Sequence, residues 1–151
     1  GKAFFNGGTQ NSGADLAELF AVRGGTAASE PGDVLVISTG ADREVEASEG
    51  AYSTLVAGVH ATRPRSILTE EHIDADPGGM APVGVIGVIP TKVCSENGPI
   101  HRGDLLVTSS RRGCAMKADA AKLGFGMVIG KALENFSGTG SGKIKVLVSV
   151  R

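Results

Sequence analysis

Two corners of similar spelling constrain this chain more than any other feature. The first is Glu30-Pro31-Gly32-Asp33-Val34-Leu35-Val36-Ile37-Ser38 and the second is His101-Arg102-Gly103-Asp104-Leu105-Leu106-Val107-Thr108-Ser109. In each, Gly-Asp makes a tight corner, because both residue types belong to turns. Three apolar residues then read as a buried strand, and a hydroxyl-bearing Ser follows at the matching place. The two glycines lie 71 residues apart, and a second landmark, Gly58 against Gly130, keeps nearly the same offset at 72. Each unit therefore reads as corner, strand, loop, alternating segment, core strand and closing strand. The closing strands are Val83 to Val93 and Lys143 to Val150. Neither unit covers its own apolar face alone, so the expected fold is mainly β: two pseudo-repeated units in a compact, barrel-like or interlocked sheet. The repeats span about 30–93 and 101–151. Core positions are expected at Val34, Val36, Val56, Leu105, Val107, Val128, Ile129, Val146 and Val148.

Composition supports short strands and tight turns. Twenty-three glycines with only 4% aromatic residues do not suit a helical bundle. A length of 151 residues fits one domain with a real core. The net charge of −1, from 15 basic and 16 acidic residues, gives no basic stripe for nucleic acid. No apolar run reaches the length of a membrane span, so no membrane insertion is expected. The opening Gly1-Lys2-Ala3-Phe4-Phe5 begins like the middle of a strand, as though cut from a longer protein. Residues 1–13 are accordingly read as an N-terminal strand and linker, and 14–151 as the β domain.

Between the corners, Leu16, Leu19 and Phe20 have helical spacing, but the stretch is too short to decide helix against strand. Asp42 to Ser48 alternates as a surface strand, and Leu55 to Val59 is a core strand. The stretch from Val59 to Val83 has the composition of a long loop, with Arg63-Pro64-Arg65, the acidic run Glu70 to Asp76 and Pro77-Gly78-Gly79. A loop of that length in a compact domain is often functional, and 60–82 is a candidate contact for a partner. Asn97-Gly98-Pro99 breaks the chain before the second corner.

Most apparent motifs have plainer explanations. Gly138-Thr139-Gly140-Ser141-Gly142-Lys143 looks like a phosphate loop, yet Ser137 and Ile144 break the pattern and a strand follows, not a helix. Arg102-Gly103-Asp104 spells an adhesion tripeptide but belongs to the repeated corner. Glu70 to Asp76 lacks the spacing of a calcium loop, and His60 and His101 have no paired ligands at diagnostic spacing. No metal and no cofactor is expected. Cys94 and Cys114 define neither a zinc site nor a disulfide framework and read as free, buried thiols, with a single bridge as the alternative. No nucleophile elbow occurs. Asp15 and Glu18 remain: on a helix they would share a face, on a strand they would not.

Three stretches carry a resemblance. Gly13-Ala14-Asp15-Leu16-Ala17-Glu18-Leu19-Phe20, Glu30 to Val36 and Val56-Ala57-Gly58-Val59 resemble the G2-type intramolecular chaperone, or autoproteolytic, C-terminal domain of phage tail-spike and appendage proteins. Glu96 to Ile100, Gly103 to Leu106, Ala115 to Ala118 and Ile129 to Leu133 are similar to related domains that end bacterial fibre-like surface proteins. The resemblance implies a trimeric folding and registration module at the end of a fibre, located in a virion tail or on a bacterial surface. Its implied partners are two further copies of the chain, an upstream fibre domain and, for a receptor-binding tip, a host-surface ligand. A homotrimer would cover Phe4, Phe5, Leu19 and Phe20. In phage members the domain cuts itself free with its own acids, which match Asp15 and Glu18 here. Autoproteolysis is the one enzyme activity the resemblance implies, although Ala14 stands where cleaving members carry Ser.

Overall fold

The structure is a computed structural model that describes residues 16–61, 67–68 and 79–151. Among them the chain is mainly β, with almost no helix. The strands are β1 (Leu16–Val22), β2 (Val34–Ile37), β3 (Glu44–Ala47), β4 (Val56–His60), β5 (Ile67–Leu68), β6 (Met80–Cys94), β7 (Leu105–Thr108), β8 (Ala115–Lys117), β9 (Gly130–Ala132) and β10 (Ser141–Ser149).

β6 organises the sheet because it is long enough to serve two neighbourhoods. Its first half pairs with β1 and β4, and its second half pairs with β8 and β10. The ladder closes on itself both times. One ring runs β6-β4-β2-β3-β1 and back to β6; the other runs β6-β8-β7-β9-β10 and back. β5 adds a short edge to β1. Closure removes most free edges, which is how a small all-β domain avoids pairing with stray strands.

The two corners share their backbone geometry and hydrogen bonds. Gly32 and Gly103 have φ of +96° and +94°, a region open to Gly but strained for other residues. Asp33 Oδ2 accepts the Glu30 N–H at 2.9 Å, and Asp104 Oδ2 accepts the His101 N–H at 2.8 Å. The Gly32 N–H donates to the His60 carbonyl as the Gly103 N–H donates to that of Ala132. Leu35 faces Gly58 across the ladder, and Leu106 faces Gly130. Both closing serines turn back on the chain: Ser38 Oγ accepts from the Gly40 N–H, and Ser109 Oγ accepts from the Arg111 N–H, each at 3.1 Å. The two units also interlock, since the Val34 N–H bonds the Gly113 carbonyl and the Tyr52 N–H bonds that of Thr108.

The core follows the rings. Leu35, Val45, Ala81 and Val83 fill the first. Ile89, Leu106, Ile129, Val146 and Val148 belong to the larger cluster, which also reaches Val34, Val56 and Val59. A third cluster of Cys94, Val107, Cys114 and Met116 lies against Tyr52. Both thiols are free and buried. Burial pushes the Cys114 thiol above its ordinary pKa, and the neighbouring Cys94 adds to this.

Two expected core residues need correction. Leu105 and Val128 are only half-buried, because Leu106 and Ile129 beside them take the inward positions. Alternation along a strand sends neighbours to opposite faces. The helical spacing of Leu16, Leu19 and Phe20 does not make a helix: the stretch is strand β1, held by β6, β3 and β5. β10 already begins at Ser141, so only the first part of the Gly-Ser loop is a turn, and no helix follows it. The expected strand at Lys2 to Phe5, and the acidic run Glu70 to Asp76, lie outside the described residues.

Candidate functional site

Glu18 sits on β1 and Asp15 lies outside the described residues. From Leu16 onward this part of the chain is strand. Opposite β1 the pairing slips between Leu16 and Ala17, whose partners are Ile86 and Gly84, so Val85 is the extra residue of a bulge. Bulges re-aim the chain locally. On its other side Glu18 is in register with Leu68 of β5, within the 60–82 insertion. The Glu18 carboxylate is held: Arg43 Nη2 donates to Oε2 at 2.9 Å and to the Leu19 carbonyl at 3.3 Å. Arg43 also stacks over Phe20, 5.2 Å from the ring centroid. Its φ of +55° marks a strained turn that brings the guanidinium to that place. Cation–π contact and ion pair together fix one carboxylate oxygen.

A second polar cluster stands at the first corner, and spacing gives no sign of it. Ser29 Oγ and His60 Nδ1 are 2.8 Å apart and buried. Lys92 Nζ reaches Asp33 Oδ1 at 2.7 Å and also bonds Glu30. Arg112 donates to the Ala28 carbonyl at 2.7 Å and closes one side of a cavity of about 210 Å³. Burial lowers the His60 pKa below 6.5, and the Asp33 and Glu30 charges only partly oppose this. Burial also works against the charged form of Lys92, but its bonds to Asp33 and Glu30 outweigh that and raise its pKa.

Serine, histidine and aspartate in one corner invite comparison with a catalytic triad. The geometry is different. A triad carboxylate orients the imidazole, whereas Asp33 spends its two oxygens on Lys92 and the Glu30 N–H. The cluster is a structural tie between the corner, β4 and β6. Its counterpart in the second unit is simpler, with Asp104 near His101 Nδ1 at 3.8 Å and Ala132 in the place of His60. Among the described residues no group of three or more His, Cys, Asp or Glu side chains is placed to hold a metal ion.

Comparison with protein-family models, with curated proteins and with solved structures returned no match.

Proposed function

We propose that this chain is a C-terminal trimerisation and folding module of a phage tail-fibre or bacterial surface-fibre protein. The reading rests on the sequence resemblance and on one structural observation. On the outer face of the second ring, apolar side chains stand among lysines where a monomer would leave them wet. Leu105, Lys131, Leu147 and Val88 form one cross-strand row over β7, β9, β10 and β6. Leu147 and Val88 are exposed, and Ile86, two residues along β6, is half exposed. Exposed apolar side chains grouped in this way suit an association surface. A doubly closed sheet also suits the end of a fibre, since it leaves few strand edges for wrong pairing.

Self-cleavage is the second reading, and one observation favours it: Glu18 is partly exposed at a bulge beside the insertion strand, next to the segment that carries Asp15. Under that reading Asp15 activates a water at the Ala14 carbonyl, or attacks it to give an anhydride that water then hydrolyses, and Glu18 protonates the leaving nitrogen as the Ala14–Asp15 C–N bond breaks. Light scattering with intact-mass measurement tests both readings. The expected result is a trimer of intact chains. A monomer at high micromolar concentration overturns the assembly reading. A new N-terminus at Asp15, absent from Asp15→Asn and Glu18→Gln, establishes cleavage. A fibre-tip role in host binding requires a ligand that the 60–82 segment contacts, and deletion of residues 69–78 within it would abolish its binding.

A further inference from the structure

This outer face contains a groove. Leu105, Val128 and Leu147 form its walls, Lys131 and Arg151 flank it, and its volume is about 330 Å³. The half-burial of Leu105 and Val128 belongs to this groove.

On the same chain Phe125 is 99% exposed. It is not carried on a loose loop. The Gly126 N–H donates to the Arg151 carbonyl at 2.8 Å, which ties the turn to the end of the groove. Gly126 has φ of +85°, and its Cα packs so closely on Thr54 that an added Cβ would stand 2.5 Å from the Thr54 carbonyl oxygen. Only glycine fits there. The turn is therefore held by its backbone while the Phe125 ring stands in water, which the fold of one chain gives no reason to do. Large aromatic side chains exposed in this way are typical anchors of protein contacts.

We propose that Phe125 is a knob that enters the Leu105–Val128–Leu147 groove of a second copy of this chain. The groove has room for one aromatic side chain, and the flanking cations, Lys131 and Arg151, suit the face of a ring. A knob and a groove on one chain are both satisfied by copies of that chain, the knob seated in one neighbour and the groove filled by the next. The contact joins two different patches, so it is heterologous and closes into a ring when the rotation between copies allows. Ile86 and Val88, beside Leu147, extend it across β6. This inference rests on the assembly reading above and names the residues of its interface.

The test uses the wild-type chain, Phe125→Ala, the double variant Phe125→Cys/Leu147→Cys and its two single-cysteine controls. The native thiols Cys94 and Cys114 are buried, and the single-cysteine variants and wild type control for them. Molar mass is measured by light scattering over a dilution series, and chains are run on a non-reducing gel after mild oxidation. Phe125→Ala should weaken association at least tenfold with an unchanged circular dichroism spectrum. The double variant should cross-link between chains, up to the size of the closed oligomer, while the single variants do not. An oligomer that Phe125→Ala leaves intact, with no cross-linked ladder, overturns the knob but not the assembly. A wild-type chain that stays monomeric throughout overturns both.

Discussion

Lys92 Nζ lies 2.7 Å from Asp33 Oδ1, and this contact ties the first Gly-Asp corner to the strand shared by the two rings. The Asp33 side chain is 4% exposed, so its charge depends on that partner. Removing one member of a buried pair leaves an uncompensated charge, which costs about 3–5 kcal/mol when both are fully buried. Lys92 keeps some contact with water, so Lys92→Met should cost about 2–3 kcal/mol. Asp33→Asn on the Lys92→Met background should restore part of it. Asp104→Asn, at the more exposed second corner, should cost only about 1 kcal/mol. Urea unfolding of these variants measures each value.

The same cluster sets a pH window. Burial holds the His60 pKa below its ordinary 6.5, so the unfolded chain takes up a proton at a pH where the folded chain resists it. The associated stability is complete above about 6.5 and is lost as the pH falls through that value towards the folded pKa. Lys92 behaves in the opposite sense. Its folded pKa is above 10.5, so its contribution holds below that value and is lost as the pH rises through the folded pKa. The urea midpoint should therefore decline on both sides of a neutral plateau. His60→Gln should flatten the acid limb below about pH 6.5, and Lys92→Met the alkaline one. An acid limb unchanged by His60→Gln would assign it to carboxylates instead.

The corners are legible in the sequence because their chemistry is local. A φ near +95° strongly favours glycine, and a carboxylate three residues from an N–H caps it, so both leave a mark on sequence. The offset between Gly58 and Gly130 is legible for a similar reason, since each lies under a crossing strand. Three things are not. Leu16, Leu19 and Phe20 fit a helix by spacing, and only the partners β3, β5 and β6 make them a strand. In Leu105-Leu106 and Val128-Ile129 the pattern names two apolar neighbours without saying which faces inward. Ser29 and His60 meet across 31 residues, and no periodicity connects them. Resemblance singles out Glu18, but its Arg43 partner comes from the far turn of another strand.

Gly58 and Gly130 should resist even alanine. A Cβ on Gly58 would run into the Gly84 carbonyl and stand 2.8 Å from Val83 Cγ1; one on Gly130 would meet the Leu147 carbonyl and come within 2.9 Å of the Val148 Cα. Backbone cannot yield as a flexible side chain can, so each Gly→Ala change should cost at least about 1–3 kcal/mol. Gly50→Ala is the contrast, because nothing lies within 4 Å of the place its methyl group would take. It should be neutral or stabilising by up to about 1 kcal/mol. Thermal midpoints of the three variants settle the ranking, and equal midpoints would mean that the strands part easily at the crossings.

Glu18→Gln should leave the fold almost untouched. Its partner Arg43 is 60% exposed and Glu18 itself 33%, so solvent screens the pair. Exposed ion pairs contribute about 0–1 kcal/mol, and glutamine can still accept from the guanidinium. Arg43 would keep its bond to the Leu19 carbonyl and its place over Phe20. The variant is therefore a clean instrument: it changes the charge at the candidate cleavage site without unfolding β1. The expected stability lies within about 1 kcal/mol of wild type, and the small loss should shrink further as salt is added. A loss of several kcal/mol, unaffected by salt, would mean that Glu18 is a structural support of the β1–β3 junction, and any loss of cleavage in the variant would then report the fold rather than the chemistry.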